Sequence, residues 1–316
     1  MQTEEAHNRL EGNLEEYLTA LAQEKQYSRN TIAAYRNDLN QFLQHVVAGG
    51  GAPTAGWSAV PASVLADYVQ RLKDTTLRDS SGREKVIATS TVARKIAAIK
   101  SFFRHLFKTG AIGSDPSVGL DTPKVKKRLP RTLSSADVER LLAAPGRSTQ
   151  PKSMRDRALL ELLYATGMRV SELVSLNLSD IDQANKLVTV RSDSGNKERS
   201  IPISDRALQA LRDYQERGRP HLMKNSTDPN ALFLNHRGQK LTRQGMWLII
   251  KEYAEQAGIP FEVTPHTLRH SFAAHMLEAD WASLEQVKEF LGHASVSTTQ
   301  IYSQLAADRE RESPKT

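Results

Sequence analysis

A basic, proline-containing segment near the middle of the chain limits what its 316 residues can fold into. Residues 113–131 hold three prolines, five basic side chains and only two acidic ones. Proline lacks a backbone N–H and interrupts helices and sheets, so this composition is typical of a linker. A chain of this length also favours two domains over one. We therefore expect an N-terminal domain over residues 1–112 and a C-terminal domain over residues 132–316.

The N-terminal domain is expected to be helical, because its apolar residues recur at helical spacing. The stripes predict four helices, at about residues 13–25, 28–43, 62–72 and 90–109. Ser28 is a suitable N-cap for the second helix, and Gly110 is a suitable end for the fourth. Residues 48–61 are rich in Gly, Pro and Ala, and residues 73–88 are polar, so both segments are predicted to be loops.

The fourth predicted helix has a basic face that carries no acidic residue. Without acids, no ion pairs at i,i+4 spacing would support a merely solvated face. The whole chain has 43 basic and 36 acidic residues, a net charge of +7 and a pI near 9.5. Such an excess fits a nucleic-acid partner, although an ordinary basic protein shows the same signature. We predict DNA contacts by eight residues of this face and of the linker: Arg94, Lys95, Lys100, Arg104, Lys124, Lys126, Lys127 and Arg128.

For the linker cluster, a nuclear-localisation signal or a plain tether is an alternative interpretation. The chain has no cysteine, which excludes disulfides, thiolate catalysis and Cys-ligated zinc. Its N-terminal residues are polar, and no apolar run is long enough to span a bilayer. We expect a soluble cytoplasmic protein without a membrane partner or a small-molecule substrate.

The C-terminal domain changes its hydrophobic period partway along. Helical patterns run to about Leu176, whereas residues 187–191 and 199–203 are strand-like and flank turn residues at 193–196. Helical patterns then resume, with loops predicted at 218–230 and 235–240. The expected fold is mainly α, with a small antiparallel β-sheet in the C-terminal domain.

A candidate anion site lies where a helix is predicted to begin after Thr264. Thr264 is a natural N-cap and Pro265 fits the first helical position. His266 and Arg269 then lie three residues apart in the first turn, where backbone N–H groups already favour phosphate. The His266–His270 spacing also occurs in zinc sites, but the glutamate base and any cysteine ligand are missing, so no metal is expected. We interpret His270 and His275 as packing or surface histidines.

Further along the chain, Arg169, His293 and Tyr302 could complete a phosphate site. Two guanidiniums can hold the non-bridging oxygens of a phosphate and stabilise its pentacoordinate transition state without a metal. A phenol is a poor nucleophile at neutral pH unless a base or a positive field assists it. The imidazoles of His266 and His293 can supply proton transfer or oxygen contacts.

Taken in order, these motifs resemble the tyrosine site-specific recombinases of the phage-integrase and Xer type. Each motif alone is weak, but their order is specific, and the similarity covers nearly the whole chain. The matching segments are residues 28–35 (SRNTIAAY), 165–173 (ATGMRVSEL), 266–270 (HTLRH), 291–293 (LGH) and 298–302 (TTQIY).

The resemblance implies a fold and a mechanism. A helical core-binding domain and a catalytic domain would form a C-shaped clamp on duplex DNA. Tyr302 would attack the scissile phosphate and form a 3′-phosphotyrosyl link, while Arg169 and Arg269 hold that phosphate. His266 would transfer protons, His293 would hydrogen-bond the phosphate and Glu172 would orient Arg169. No ATP or other cofactor is implied.

The resemblance also implies an assembly. Four protomers would act on two DNA sites through a Holliday junction, as a homo-tetramer or as a hetero-tetramer with a paralogue. The C-terminal tail would pack on a neighbouring protomer. We expect no arm-binding domain before Leu14, which favours a simple Xer-like enzyme. Chromosome or plasmid dimer resolution and mobile-element integration both stay open.

One position departs from the family pattern. The family's catalytic lysine is the first lysine of Gly-Lys-Gly-Asn-Lys-Glu-Arg in a hairpin turn, and Ser194 stands there in this chain. Lys197 matches the second lysine of the pattern, and we predict that it reaches the 5′ leaving oxygen. A type IB topoisomerase-like relaxase and a DNA-binding accessory protein without cleavage activity are the alternative functions.

Overall fold

The structure is a computed structural model that describes most of the chain. The described residues are 2–24, 27–49, 56–78, 84–125, 130–146, 149–192, 197–223, 228–293, 295–296, 298–303 and 305. The chain divides into two compact units, Met1–Lys127 and Arg128–Thr316.

The N-terminal unit consists of helices and one short hairpin. Its described elements are α1 (Gln2–Glu24), α2 (Arg29–Ala48), a 3₁₀ turn (Gly56–Ala59), α3 (Ala62–Asp74), β1 (Thr76–Arg78), β2 (Glu84–Val86) and α4 (Thr89–Lys108). The Ser28 hydroxyl accepts a hydrogen bond from the Thr31 amide, so the predicted cap of α2 is confirmed. Gly110 follows α4 with a φ of +74°, a conformation that favours glycine.

The apolar stripes of these helices meet in one core. At its centre Phe42 of α2 lies beside Trp57 and beside Phe103 of α4, with ring centroids 6.1 Å apart in each case. Trp57 also donates its indole N–H to the Leu10 carbonyl at 3.1 Å, so its polar atom is satisfied inside the core. Burial of these large rings supplies much of the stabilisation of the unit.

Two local predictions for this unit are wrong. Residues 73–88 were predicted to be a loop, but β1 and β2 form an antiparallel pair in which Thr76 opposes Val86. Their strands are three residues long and polar, so they carry no alternating pattern to reveal them. The first helix begins at Gln2 rather than near residue 13, because polar residues extend it beyond its apolar stripe.

The C-terminal unit combines helices with a three-stranded sheet. Its described elements are α5 (Ser135–Ala143), α6 (Pro151–Thr166), α7 (Val170–Ser175), a 3₁₀ turn (Leu178–Asp180), β3 (Ile181–Asp182), β4 (Leu187–Arg191), β5 (Glu198–Pro202), α8 (Asp205–Asp213), a π-helical turn (Tyr214–Gly218), α9 (Arg219–Leu222), α10 (Arg243–Gln256), α11 (Pro265–Glu278) and α12 (Leu284–Leu291). The mainly α fold with a small antiparallel sheet is confirmed.

The strands lie in the order β3-β4-β5, and all neighbours are antiparallel. Val188 opposes Ile201, and both side chains are buried. The segment 218–230 was predicted to be a loop, yet it contains α9. The reason is Arg219, which is buried and donates to the carbonyls of Ala231 and Pro229. These two carbonyls lie 12 and 10 residues further along the chain, so the helical pattern around Arg219 does not reveal them.

Helix α6 lies at the centre of the C-terminal core and ends at Gly167. Gly167 has a φ of +58°, in the left-handed region. A Cβ at this position would lie 2.2 Å from Phe272 Cδ1, so only glycine fits here. The tight turn starts α7 immediately after α6 and fixes the position of Arg169, which caps α7.

Candidate active site

Helix α11 supplies the histidine–arginine motif of the site. Thr264 caps the helix by accepting a hydrogen bond from the Thr267 amide at 3.1 Å, and Pro265 occupies the first helical position, so both predictions are confirmed. His266 is exposed at this end of the helix, whereas Arg269 is only 5% exposed. The first turn therefore presents one solvent-accessible imidazole and one buried guanidinium.

Arg269 is held by two backbone carbonyls from other elements. It donates to Gly167 O at 2.7 Å and to Leu291 O at 2.6 Å. Burial lowers the pKa of Arg269 to about 10, and the nearby positive charge of Arg169 adds to this effect. The side chain still carries its charge at neutral pH, and it links the turn before α7 to the end of α12.

Glu172 forms hydrogen bonds with both the backbone and the side chain of Arg169. The Glu172 carboxylate accepts from the Arg169 amide at 2.7 Å and from its guanidinium Nη1 at 3.0 Å. The Arg169 Nη2 donates to Gly292 O at 3.2 Å. The side chain stays 38% exposed, so it is partly accessible to a ligand.

Arg199 is a further site residue that the sequence did not reveal as one. From β5 it donates to both oxygens of Glu172 at 2.8 Å each, and its Nε donates to Phe290 O at 2.8 Å. Burial raises the pKa of Glu172, but the hydrogen bonds from Arg199 and Arg169 outweigh it, and the net pKa lies below its usual value. Strand alternation places Arg199 on the same face as buried Ile201, and this was the available signal.

Tyr302 lies in the interior of this region. It is 2% exposed and belongs to an apolar cluster with Phe272, Val287 and Leu291. Burial raises the pKa of its phenol, and the positive charge of Arg269 opposes that rise. The hydroxyl is therefore protonated at neutral pH and lies in a positive field.

His270 contacts the Tyr302 hydroxyl directly. The His270 Nδ1 is 2.7 Å from Tyr302 Oη, and the two rings are 5.5 Å apart. His270 is half-buried, so our interpretation of it as a packing histidine is compatible with this contact. The contact joins residues 32 positions apart, so no local pattern predicts it. His275, in contrast, is buried, with its Nδ1 2.8 Å from the Tyr164 hydroxyl and its Nε2 3.1 Å from Leu133 O, which confirms the packing interpretation there.

His293 follows the glycine that ends α12. Gly292 has a φ of +63°, and a Cβ there would lie 3.0 Å from Arg199 Nη1. The His293 ring stacks against Tyr302 with centroids 6.4 Å apart, and its Nδ1 is 3.0 Å from Thr299 Oγ1. Burial lowers the pKa of His293 to about 4, assisted by the charges of Arg269 and Arg169, so the ring is neutral at neutral pH.

Lys197 lies at the edge of a cleft beside these residues. The cleft has a volume of about 610 Å³, and Arg169, His293 and Lys197 are among the side chains that line it. The Lys197 carbonyl accepts from the Ser192 amide at 2.8 Å, which holds the base of the hairpin. Ser194, the position of the family lysine, lies outside the described residues.

The predicted DNA-binding face of α4 differs from expectation at one residue. Lys95 is 5% exposed, and its Nζ donates to Asp38 Oδ1 at 2.9 Å and to Gln41 Oε1 at 2.6 Å. The prediction that Lys95 lies on the exposed basic face is wrong, because the acid that pairs with it comes from α2.

Of the seven other predicted DNA contacts, the structure describes four. Arg94 also pairs with Asp38 but remains partly exposed, and Arg104 is exposed. Lys100 is half-buried, while Lys124 is exposed. Lys126, Lys127 and Arg128 lie outside the described residues.

Two other classes of feature are absent from the described part of the chain. Within it, no group of three or more histidine, aspartate or glutamate side chains is arranged to hold a metal ion. Among its helices, none has the length and apolar character needed to cross a membrane.

Comparisons with known proteins find matches over most of the chain. Residues 131–309 match the family described as "Phage integrase family", and residues 14–110 match "Phage integrase, N-terminal SAM-like domain". Tyrosine recombinase XerC of Herpetosiphon aurantiacus is 47% identical over 300 residues, which cover 95% of this chain and 92% of the relative. Tyrosine recombinase XerD of Halalkalibacterium halodurans is 41% identical over 300 residues, which cover 95% of each chain.

Solved structures show the same fold at low identity. XerH site-specific recombinase bound to a palindromic difH substrate, in a post-cleavage complex, aligns with a TM-score of 0.68 at 20% identity and covers 98% of this chain and 95% of its own. A lambda integrase dimer bound to a COC′ core site aligns with a TM-score of 0.68 at 20% identity and covers 97% of this chain and 98% of its own.

Proposed function

The chain belongs to the phage integrase family and is a tyrosine recombinase, an enzyme that cleaves and rejoins DNA in site-specific recombination, and we propose that Tyr302 is its nucleophile. In this proposal the Tyr302 oxygen attacks a backbone phosphate and displaces the 5′ oxygen. The product is a 3′-phosphotyrosyl link and a free 5′-hydroxyl. Because the new phosphodiester retains the bond energy, the reverse reaction rejoins DNA without ATP.

The observation that carries the assignment is the convergence of four groups on the end of α12. Arg269 donates to Leu291 O, and Arg169 donates to Gly292 O. His293 is the next residue, and its ring stacks on Tyr302. Two permanent cations and a phenol are thereby held around one turn. This arrangement suits the stabilisation of charge on a pentacoordinate phosphate.

The two arginines have complementary tasks in this scheme. Arg269 is buried and anchored at both guanidinium Nη atoms, so it provides a fixed positive charge near the reacting oxygen. Arg169 is more exposed and can contact non-bridging phosphate oxygens. Glu172, held by Arg199, keeps Arg169 in place. Arg199 is thus a positioning residue.

Groups at the cleft serve the leaving-group side of the phosphate. We assign proton donation to the 5′ oxygen to Lys197, which lines the same cleft as Arg169 and His293. His266, exposed at the start of α11, takes part in proton transfer, and His293 hydrogen-bonds the phosphate. A lysine on a flexible stem can approach the oxygen once DNA occupies the cleft.

The proposed partner is a specific duplex DNA site bound by several protomers. The structures of XerH and lambda integrase were determined with DNA sites, which supports the same partner here. Arg94, Lys100, Arg104 and the linker cations are assigned to phosphate contacts. We further propose a tetramer on two sites, alone or with a paralogue, acting in the cytoplasm on chromosome or plasmid dimers. The relatives named tyrosine recombinase XerC and XerD support an Xer-like recombinase.

A covalent trapping experiment tests the nucleophile. The DNA site is first identified by sequencing the genomic fragments that the protein retains. A nicked suicide version of that site then lets the short 5′-hydroxyl strand diffuse away, and the covalent adduct accumulates. Wild type should form the adduct, and Tyr302→Phe should form none. An adduct in Tyr302→Phe would refute the assignment, and relaxation of plasmids that lack the site would indicate a topoisomerase-like activity instead.

A further inference from the structure

We infer that His270 is a catalytic residue that accepts the phenolic proton of Tyr302 during DNA cleavage and returns it during rejoining. This inference rests on the proposed role of Tyr302 as the nucleophile. The resemblance implies roles for His266 and Arg269 of the same motif, and it implies none for His270. The basis of the inference is the placement of one imidazole nitrogen against the reacting oxygen.

The geometry favours His270 over the other two histidines of the site. Its Nδ1 lies 2.7 Å from Tyr302 Oη, within direct proton-transfer distance. His293 stacks on the Tyr302 ring, and its Nδ1 is engaged with Thr299 Oγ1 at 3.0 Å. His266 is one turn away, with its ring 6.3 Å from that of His270. Among the described residues, His270 is the one that forms a hydrogen bond with the Tyr302 hydroxyl.

The protonation states at neutral pH suit a proton acceptor. Burial lowers the pKa of His270 to about 4, and the charges of His266 and Arg269 contribute, so the imidazole is neutral. Burial raises the pKa of Tyr302, so the phenol keeps its proton. A neutral imidazole with its hydrogen on Nε2 can accept the phenolic hydrogen at Nδ1. The proposed step uses this tautomer, in which the phenol donates and the imidazole accepts.

Binding of DNA would strengthen this base. The scissile phosphate brings a negative charge to Arg169 and Arg269. That charge offsets the positive field that lowers the pKa of His270, so the pKa rises when the substrate is in place. The same phosphate draws the Tyr302 oxygen into a bond and makes its proton more acidic. The base is thus weak in the free protein and stronger in the complex.

A second tyrosine–histidine pair on α11 shows what a structural pair looks like. His275 Nδ1 lies 2.8 Å from the Tyr164 hydroxyl. Burial, together with the negative charges of Glu139 and Glu278, raises the pKa of Tyr164 to about 12. Tyr302 instead has the positive charge of Arg269 beside it, which favours the phenolate. The two pairs share their geometry, but the surrounding charge favours proton loss only at Tyr302.

The proposed step balances in atoms and charge. The Tyr302 oxygen forms a bond to phosphorus as the bond from phosphorus to the 5′ oxygen breaks. The phenolic proton moves to His270 Nδ1, and Lys197 gives a proton to the departing 5′ oxygen. In the rejoining step the 5′-hydroxyl attacks and its proton returns to Lys197. The Tyr302 oxygen leaves and recovers its proton from His270.

The test measures single-turnover formation of the covalent adduct on the suicide substrate. His270→Asn keeps a hydrogen-bond acceptor near the Nδ1 position but removes the base. We expect it to form the adduct about 100-fold more slowly than wild type, a usual size for general base catalysis. His275→Asn is the matched control, because it disturbs a tyrosine–histidine pair of the same helix away from the site. It should react near the wild-type rate.

A second substrate separates the base from the leaving-group acid. Replacing the 5′ bridging oxygen of the scissile phosphate with sulfur gives a leaving group that needs no proton. This substrate should restore the rate of Lys197→Ala and leave His270→Asn slow. The contrast between the two variants would assign the leaving-group acid to Lys197 and not to His270.

The possible outcomes separate the inference from the proposed function. If wild type forms the adduct and His270→Asn forms it at the same rate or faster, His270 is not the base and the inference fails, while the role of Tyr302 stands. Recovery of His270→Asn on the sulfur substrate would place its defect on the leaving group and also overturn the inference. An adduct in Tyr302→Phe would instead overturn the proposed function.

Discussion

Each unit of the protein contains a buried carboxylate held by one largely buried and one partly exposed cation, but the two sites differ in how the cations share the carboxylate oxygens. In the N-terminal unit Asp38 is fully buried and pairs with Lys95 and Arg94. In the C-terminal unit Glu172 is 1% exposed and pairs with Arg199 and Arg169. The Lys95 and Arg199 side chains are 6% and 12% exposed, whereas those of Arg94 and Arg169 are 42% and 38% exposed.

The two sites differ in how many carboxylate oxygens the largely buried cation contacts. Arg199 satisfies both oxygens of Glu172 in a bidentate pair, so Arg169 shares the carboxylate but is not needed to neutralise it. Asp38 has no such bidentate partner, because Lys95 donates to one of its oxygens and Arg94 to the other. In each site one cation is taken into the interior by the acid, and only the second cation stays accessible to a phosphate. The count of basic residues on a helix face does not show this.

The largest effect is expected from removing the carboxylate of the catalytic unit. Glu172→Gln leaves Arg199 buried with no charged partner, which should cost about 3–5 kcal/mol of the free energy of unfolding. It should also slow covalent adduct formation, because Arg169 loses its orienting contact. Urea unfolding and single-turnover trapping measure the two effects.

A double variant separates the effect of Glu172 on stability from its effect on the rate of adduct formation. Arg199→Met with Glu172→Met replaces the buried pair by apolar side chains, which should restore much of the stability. Adduct formation should stay slow, since Arg169 is still not oriented. Recovery of the wild-type rate in this double variant would show that Glu172 does not position Arg169.

Removing the carboxylate of the N-terminal unit should affect stability but not the chemical step. Asp38→Asn leaves Lys95 buried and unpaired, at a cost of about 3 kcal/mol for that unit. Asp38→Leu with Lys95→Met should recover most of this loss. At saturating DNA both variants should form the adduct at the wild-type rate. A slow chemical step in the stable double variant would contradict the contrast between the two units.

How far the sequence predicts the structure depends on how local each cause is. Ser28 and Thr264 cap their helices as their spacing predicts, because a cap and its amide are three residues apart. The stripes of α2, α3 and α4 likewise predict the core of the N-terminal unit, since helical periodicity is a property of neighbouring residues. The three-stranded sheet follows from the change of period at residues 187–203.

The contacts that the sequence did not predict join distant positions. Lys95 and Asp38 are 57 residues apart, Arg199 and Glu172 are 27 apart, and Tyr302 and His270 are 32 apart. Each depends on how two elements pack, which no local pattern contains. The motif order points to the residues around Arg169 and Tyr302, but not to the partners that hold them.

A smaller effect is expected on DNA affinity when exposed and buried cations of α4 are compared. Arg104 is exposed, so Arg104→Ala should weaken binding and reduce the slope of log affinity against log salt by about one. Lys95→Met, made together with Asp38→Leu to keep the unit stable, should leave that slope unchanged. Binding titrations at several salt concentrations measure both. A reduced slope in the Lys95 variant would show that this lysine releases counterions and contacts DNA.

The stability of the catalytic unit should also depend on pH, because the pKa values of two of its histidines change on folding. In the folded chain the pKa values of His270 and His293 are each lowered to about 4, by burial first and by nearby positive charges second. An unfolded histidine titrates near about 6.5. Between these values the unfolded chain binds more protons, so the free energy of unfolding falls as the pH drops from about 6.5 towards 4. Glu172, whose folded pKa is lowered, loses its contribution only in more acidic solution, below the unfolded value of about 4.3.

Hydrogen exchange in the full-length chain can follow this dependence unit by unit. The protection of α11 should decrease over that pH window, and His270→Asn should flatten the decrease because one of the two titrating groups is gone. His275→Asn is again the control for a lost histidine contact on the same helix. If His270→Asn leaves the slope between about pH 6.5 and 4 unchanged, His270 does not stay neutral in the folded protein. That outcome would also remove the protonation state on which its role as an acceptor depends.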